Sequence, residues 1–331
     1  RLKSSSGGVV TALAAFGISS RAATGVLQVG ASKKTPYKNE TRYNTTVEQV
    51  LNSCGSRYSP ASPCEKFSEI IHSEGKSIFI GKPCDVAALY KARKVIPELD
   101  EKILLTVSIF CAATPSTQGT TTLINQLGEN NLSNVRRMRY RGYGWPGNAC
   151  IESAESETET RITVRERSYE EAWGGTLSRY RQWRCNLCAD HTGEFADISV
   201  GDPWYRDIQE GEAGSSLIIP RTKAGANFLA EAKKHGVVTF ESIEHSCLPR
   251  SQPYLINVAG MIWGRILALK FASIFGVGFP KLEGKNLIKI WLNRLTPKQK
   301  IASIAGTLRR VVSKGLWKKN RHHELEVNHD R

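Results

Sequence analysis

Two apolar runs, each of strand length and each followed by a cysteine, constrain this chain most. Lys76–Ile80 reads as a buried strand ending at Gly81, with Cys84 just beyond it in Gly81-Lys82-Pro83-Cys84. Ile103–Phe110 is a continuous apolar run ending at Cys111. Between and around them lie segments with helical spacing: Pro63–Glu74, Cys84–Lys94, and a helix from Pro115 to about Gly128. Gly25–Gly30 adds another strand. Alternation of strand and helix is the pattern of an α/β fold, and open α/β sheets place ligands beyond the carboxyl ends of their strands.

The pattern loosens from Asn134 onward. Val135–Tyr140, Arg161–Arg167, Asp197–Val200, Ser216–Ile219 and Val238–Phe240 read as short strands, and Ala224–His235 as a helix. The expected fold class is therefore α/β to α+β, a mixed sheet with flanking helices and a basic helical C-terminal extension. The expected regions are 1–133 (α/β), 134–255 (mixed α+β) and 256–331 (basic, helical). Met261–Phe279 is apolar but contains Arg265 and Lys270. A membrane span takes ~20 apolar residues with few charges, so a core or interfacial helix is expected.

Composition narrows the class. The 331 residues are 40% hydrophobic and 8% aromatic, enough for a real core rather than disorder. Eight cysteines are too sparse for a secreted disulfide scaffold. The start at Arg1 shows no charged region followed by an apolar run, so no signal peptide is expected, and the sparse cysteines themselves favour a cytoplasmic location. On that reading the sequons at Asn44 and Asn131 are chance matches. The net charge is +15, and Lys281–Arg331 holds thirteen Lys/Arg against four Asp/Glu. Such a tail suits an anionic lipid surface, nucleic acid or an acidic partner, or is simply a solvated helical surface.

Four segments carry chemistry. Ser5-Ser6-Gly7-Gly8-x-x-Thr11 is a small-residue turn feeding an apolar helix. It reads as a phosphate cradle or as an ordinary Ser-capped helix. Cys185-Asn186-Leu187-Cys188 supplies two soft ligands at short spacing. With Cys84 and Cys111 it suits an iron–sulfur cluster, which usually takes four thiolates; half a zinc site and isolated buried thiols stay open. Cys54, Cys64, Cys150 and Cys247 remain over, and Cys54 and Cys64 are competing ligands. Ala196–Trp204 reads as a strand ending in Gly201-Asp202 before Trp204. There Gly201 permits close approach to a ligand, and the Asp202 carboxylate suits a ribose, a ring N–H or a cation; a packed turn is the plainer reading. Arg139-Tyr140-Arg141-Gly142-Tyr143-Gly144-Trp145-Pro146-Gly147 interleaves cations and aromatics with glycines. That loop suits a flat ring, a phosphate or a single strand of nucleic acid, or is simply turn-rich. Arg139 and Arg141 are candidates for holding an anionic coenzyme tail.

In this order, and with Gly55-Ser56-Arg57-Tyr58, these segments resemble the coenzyme F420 hydrogenase/dehydrogenase beta-subunit family. The matching blocks span residues 4–204. The resemblance implies FAD and a [4Fe-4S] cluster, with Cys84, Cys111, Cys185 and Cys188 at the ligand positions. It implies flavin contacts around Ser5, Ser6, Gly7, Gly8 and Thr11, with Arg141, Gly201 and Asp202 as further cofactor-binding candidates. Relatives pass electrons between cluster and flavin, and the flavin exchanges hydride with a deazaflavin, coenzyme F420; a similar plant protein uses ferredoxin to reduce a chlorophyll derivative. Lys82 departs from the small hydroxyl residue often found before Pro-Cys. The C-x2-C-x2-C-x3-C run that many members carry upstream is not in this sequence. The implied electron donor is then a redox partner protein or a ferredoxin-like domain. The expected function is an iron–sulfur flavoprotein oxidoreductase acting on a small-molecule acceptor. The alternative is a non-enzymatic electron-transfer or assembly subunit that docks to a partner or membrane surface. A zinc-bound nucleic-acid module is favoured by charge alone, and nucleic acid is not an expected partner.

Overall fold

The structure, a computed structural model, describes residues 6–155, 161–207, 214–277, 284 and 286–315. Six strands form the main sheet in the order β2-β1-β3-β4-β8-β9. They are β1 (Gly25–Ala31), β2 (Asn39–Asn44), β3 (Ser77–Gly81), β4 (Ile103–Ile109), β8 (Ile198–Gly201) and β9 (Leu217–Pro220). β1, β3, β4 and β8 run parallel, while β2 and β9 are antiparallel edges. The mixed α/β class expected from the pattern is the class observed.

The near-continuous apolar runs follow from having both faces covered. Side chains alternate between faces along a strand. Val26, Ile78, Ile80, Leu105, Val107, Ile198 and Val200 meet α1 (Val9–Ser19) and α7 (Lys223–Lys234) through Leu13, Phe16 and Leu229. Leu27 and Phe79 point the other way. They pack with Ile70 of α3 (Phe67–Ile71), Val86 and Leu89 of α4 (Pro83–Arg93) and Leu99 of α5 (Pro97–Lys102). α2 (Val47–Asn52) follows β2.

A second sheet, β5 (Val135–Arg139), β6 (Ala149–Ser153) and β7 (Thr163–Arg167), is an antiparallel meander. Its apolar face packs on α6 (Thr117–Gln126) around Leu123, Ile124, Met138, Tyr140 and Ile151.

Contacts divide the chain into two compact units: residues 1–186 with 190–252, and residues 187–189 with 253–331. In the first unit, strands from the expected 1–133 and 134–255 regions share one sheet. α8 (Cys247–Ser251) lies near its end. In the second, α9 (Pro253–Ser273) packs against α10 (Leu287–Arg294) and α11 (Pro297–Ser313). The Trp263 and Trp291 rings lie 4.8 Å apart. Among the described residues α9 is the one helix long and apolar enough to cross a membrane.

Three sequence expectations are corrected. Val238–Phe240 is not a strand; Val238 and Phe240 instead pack on the α1–α7 core cluster. Pro63–Glu74 is not one helix but a 3-10 turn over Pro63–Lys66 followed by α3. The apolar helix placed at Met261–Phe279 begins at Pro253 and ends at Ser273, and residues 278–279 lie outside the described residues.

Candidate functional site

The carboxyl edge of the main sheet collects most of the singled-out residues. Gly81 pairs with Ser108 across β3 and β4, so Cys84 and Cys111 each follow a paired strand end. Cys84 lies in the first turn of α4. Pro83 starts that helix, where a missing N–H costs nothing. The Asp85 carboxylate accepts the Lys82 backbone N–H at 2.9 Å and ion-pairs with Lys82 Nζ at 2.6 Å. Cys84 Sγ lies 3.8 Å from the same carboxylate. Burial alone would lower the Lys82 pKa, but Asp85 and then the Cys84 and Cys111 sulfurs hold it above the usual value. Lys82 is thus a cation within electrostatic reach of both thiols.

The Cys111 N–H donates to the His191 carbonyl at 3.0 Å, and His191 Nδ1 meets the Cys111 carbonyl oxygen at 2.9 Å. The Thr114 N–H donates to Cys185 Sγ at 3.3 Å, and the Gln182 N–H donates to the Thr114 carbonyl. Cys185 sits in a 3-10 turn, Trp183–Leu187, laid along the segment after β4. The chain past it is anchored over the sheet at Gly193 (φ +76°), where an added Cβ would fall 2.3 Å from Ser108. Cys84, Cys111 and Cys185 therefore belong to one edge. Cys188 follows Cys185 in the chain within residues 187–189, which group with the helical unit. Among the described residues no three His, Cys, Asp or Glu side chains are grouped as a metal ion requires. Of the other thiols, burial pushes Cys64 up, aided by Asp85, and raises Cys150 to about 11. Cys54 is exposed, and Cys247 begins α8.

Next to this edge lies a buried ionic and aromatic cluster. Arg141 Nη1 donates to Asp202 Oδ2 at 2.8 Å, and Trp145 Nε1 donates to Asp202 Oδ1 at 3.1 Å. Arg141 Nε donates to the Pro146 carbonyl at 3.1 Å. The Arg141 side chain is 5% exposed and Asp202 15%. The guanidinium lies 4.9 Å from the Tyr169 ring centre and 5.6 Å from that of Trp204. Trp204 in turn stacks on Trp145 and Tyr169. Burial alone would lower the Arg141 pKa, but Tyr58 and Asp202 hold it above its ordinary value, so the cation is permanent. Burial, with Tyr58, pushes the Tyr169 phenol far up. Among the described residues Arg141 Nη2 is buried without a hydrogen-bond partner, and a buried unsatisfied donor calls for a physical explanation.

Of the three partners open to Asp202, the structure supplies a ring N–H and a cation, both from the protein itself. Gly201 is close-packed, but against Phe110: an added Cβ would fall 2.2 Å from that ring. Arg139 ion-pairs with Glu166 and lies over Tyr143. Neither Arg139 nor Arg141 is thus the unengaged cation that a coenzyme tail would first meet.

The Ser-Gly-Gly turn joins this cluster. Ser6 Oγ donates to the Ser215 carbonyl at 2.7 Å, and Gly7 fits so closely that a Cβ would fall 2.8 Å from Ser216 N. A Cβ on Gly214 would touch both Trp145 and Ser6. The α1 N-cap is Gly8 (φ +79°), with no side-chain cap and no acidic residue in the first turn. Among the described residues the capping position is thus held by a glycine and not by a serine. Thr11 is half-buried in the first turn of α1, and Ser5 lies outside the described residues. Sequence reasoning missed Tyr169 and the π-helical turn Glu170–Thr176 that follows it. The signal available was the Tyr169/Trp173 pair itself; π turns recur at functional sites. It also left Arg57 without a role. Arg57 ties Asn39 Oδ1 and the Met138, Pro36 and Lys38 carbonyls together.

Comparison with known proteins decides the family. Residues 1–68 match the N-terminal region, and residues 75–246 the C-terminal region, described as coenzyme F420 hydrogenase/dehydrogenase, beta subunit. The chain belongs to that family. The coenzyme F420 hydrogenase subunit beta of Methanococcus voltae is 24% identical over 73% of this chain and 80% of its own length. The subunit of the same name from Methanosarcina barkeri is 24% identical over 73% of this chain and 77% of its own. Among solved structures, a chain of the F420-reducing [NiFe] hydrogenase complex of Methanosarcina barkeri superposes with a TM-score of 0.62 at 21% identity. The match covers 81% of this chain and 88% of that one, and it shows a shared fold. As a member of this beta-subunit family, the chain is an oxidoreductase component.

Proposed function

We propose that this family member is an iron–sulfur flavoprotein oxidoreductase in the cytoplasm, taking electrons from a redox partner protein or ferredoxin-like domain. Its acceptor is coenzyme F420 or another small molecule. When bound, a [4Fe-4S] cluster supplies one-electron transfer and FAD couples it to hydride transfer. Cys84, Cys111, Cys185 and Cys188 are the proposed cluster ligands. The observation that carries the reading is the common edge shared by Cys84, Cys111, Cys185 and the Arg141–Asp202 cluster.

The donor chemistry suits both groups. Cys185 Sγ already accepts a backbone N–H, as a ligating thiolate does, and Lys82 offsets negative charge at Cys84 and Cys111. For the flavin, the uncapped α1 start with Ser6, Gly7, Gly8 and Thr11 suits an anion, and Ser5 is carried by its place in the motif. Arg141 Nη2 offers a buried donor to an oxygen. Asp202 acts through Arg141 and Trp145, holding both in place. Gly201 leaves room for the ring of Phe110, the residue before Cys111. The names of the relatives, subunits of a hydrogenase, support a protein electron partner.

Anaerobic purification followed by iron, sulfide and flavin analysis tests the reading. The expected result is about four iron and four sulfide per chain, with releasable FAD. Cys84→Ser and Cys185→Ser should each lose most of that iron. Full iron in both variants, or a colourless zinc protein, overturns the ligand set.

A further inference from the structure

The helical unit has a charge pattern that the redox reading does not use. Its described residues 253–277, 284 and 286–315 contain nine Lys and Arg and no Asp or Glu. Its core is already formed on one side of α9. Leu255, Val258, Ile262, Ile266, Leu269 and Ala272 are buried. Gly260 lies against Ile290, and Gly264 against Trp291 and Ser303. Arg265 is on this inner side, 7% exposed.

The opposite stripe of α9 is apolar too. Leu267 and Phe271 are 44% and 55% exposed, with exposed Lys270 beside them. The stripe continues past the helix end into Ile274 and Phe275, at 76% and 68%. Spacing of three and four residues places these side chains on one face. Soluble surfaces carry single exposed apolar residues, whereas a contiguous apolar stripe marks a contact. α11 repeats the theme, with Ile301 and Val312 each 66% exposed among exposed Lys298 and Arg309.

We propose that this unit docks on an anionic lipid bilayer surface, with Leu267, Phe271, Ile274 and Phe275 entering the headgroup region and the Lys and Arg side chains meeting lipid phosphates. Charge selects this occupant. Two copies of a surface whose described residues carry cations and no acids repel when apposed. Nucleic acid uses the cations but has little use for Leu267 and Ile274. An anionic bilayer uses both, apolar side chains below and cations at the headgroups. The helix lies on the bilayer rather than across it, because its inner face is committed to α10 and α11.

Flotation of the full chain with phosphatidylcholine vesicles, with and without phosphatidylglycerol, tests the proposal. The expected result is binding only to the vesicles containing phosphatidylglycerol, weakened by salt. The Phe271→Ser/Phe275→Ser double variant should bind at least about tenfold more weakly. Both rings are exposed, so its thermal unfolding should match the parent. If it does not, Lys298→Glu/Arg309→Glu is read instead and should also lose binding. Absence of binding to the anionic vesicles, equal binding to both lipid mixtures, or full binding by the variants overturns it. So does concentration-dependent dimerisation that the Phe variants abolish without any vesicle binding.

Discussion

Replacing Arg141 by Met should destabilise the first unit by about 3 kcal/mol, read as a lower urea midpoint with an unchanged slope. Asp202 keeps its carboxylate in a site where it is 15% exposed, and loses the cation 2.8 Å away. Trp145 Nε1 remains as a donor, but a neutral N–H does not offset a buried charge. Removing both charges tests the cause. Arg141→Met/Asp202→Leu should be less destabilised than the sum of the two single variants, since replacing a whole buried pair by apolar groups costs less than orphaning one member. Strict additivity would show that the pair is not coupled. Flavin content should fall in the single Arg141 variant, because the same guanidinium stands between Tyr169, Trp204 and the Pro146 carbonyl.

The second large effect concerns the loop that carries Arg141 and Trp145. Gly147 has φ +75°, and a Cβ there would fall 2.3 Å from the Gly142 carbonyl oxygen and 2.6 Å from its nitrogen. Gly147→Ala therefore meets backbone, which does not yield as a side chain does. A left-handed conformation costs a residue with a Cβ about 1–2 kcal/mol, and overpacking adds about 1–3 kcal/mol. The expected loss is about 2–5 kcal/mol, with a change in Trp fluorescence as Trp145 shifts on Trp204. Gly306→Ala is the matched control. It lies within α11, has no positive φ, and its added Cβ meets nothing within 4 Å. It should stabilise by up to about 1 kcal/mol, as alanine does in a helix interior. Equal behaviour of the two variants would remove the steric argument.

Legibility differed by kind of residue. β3 and β4 were readable because a strand covered on both faces leaves an unbroken apolar run, and Cys84 and Cys111 follow those runs directly. β2 was not: Asn39–Asn44 is an edge strand with no apolar run, held by pairing to β1. Val238–Phe240 looked like a strand because a core-facing loop can be as apolar as one. The α1 start reads as a small-residue turn, yet the capping residue is Gly8 rather than a serine, since Ser6 is drawn away to Ser215.

Local order along the chain was enough to establish the strand–helix alternation, the cysteines at strand ends, the basic C-terminal region and the family, because period and turn chemistry act over a few residues. The partners of Asp202, the ring that fills the space above Gly201 and the residues beside the Ser6–Gly8 turn were decided only by folding. Those contacts join positions 61, 91 and 209 residues apart, and a hydrogen bond or a steric collision at such separation leaves no periodic trace in the chain.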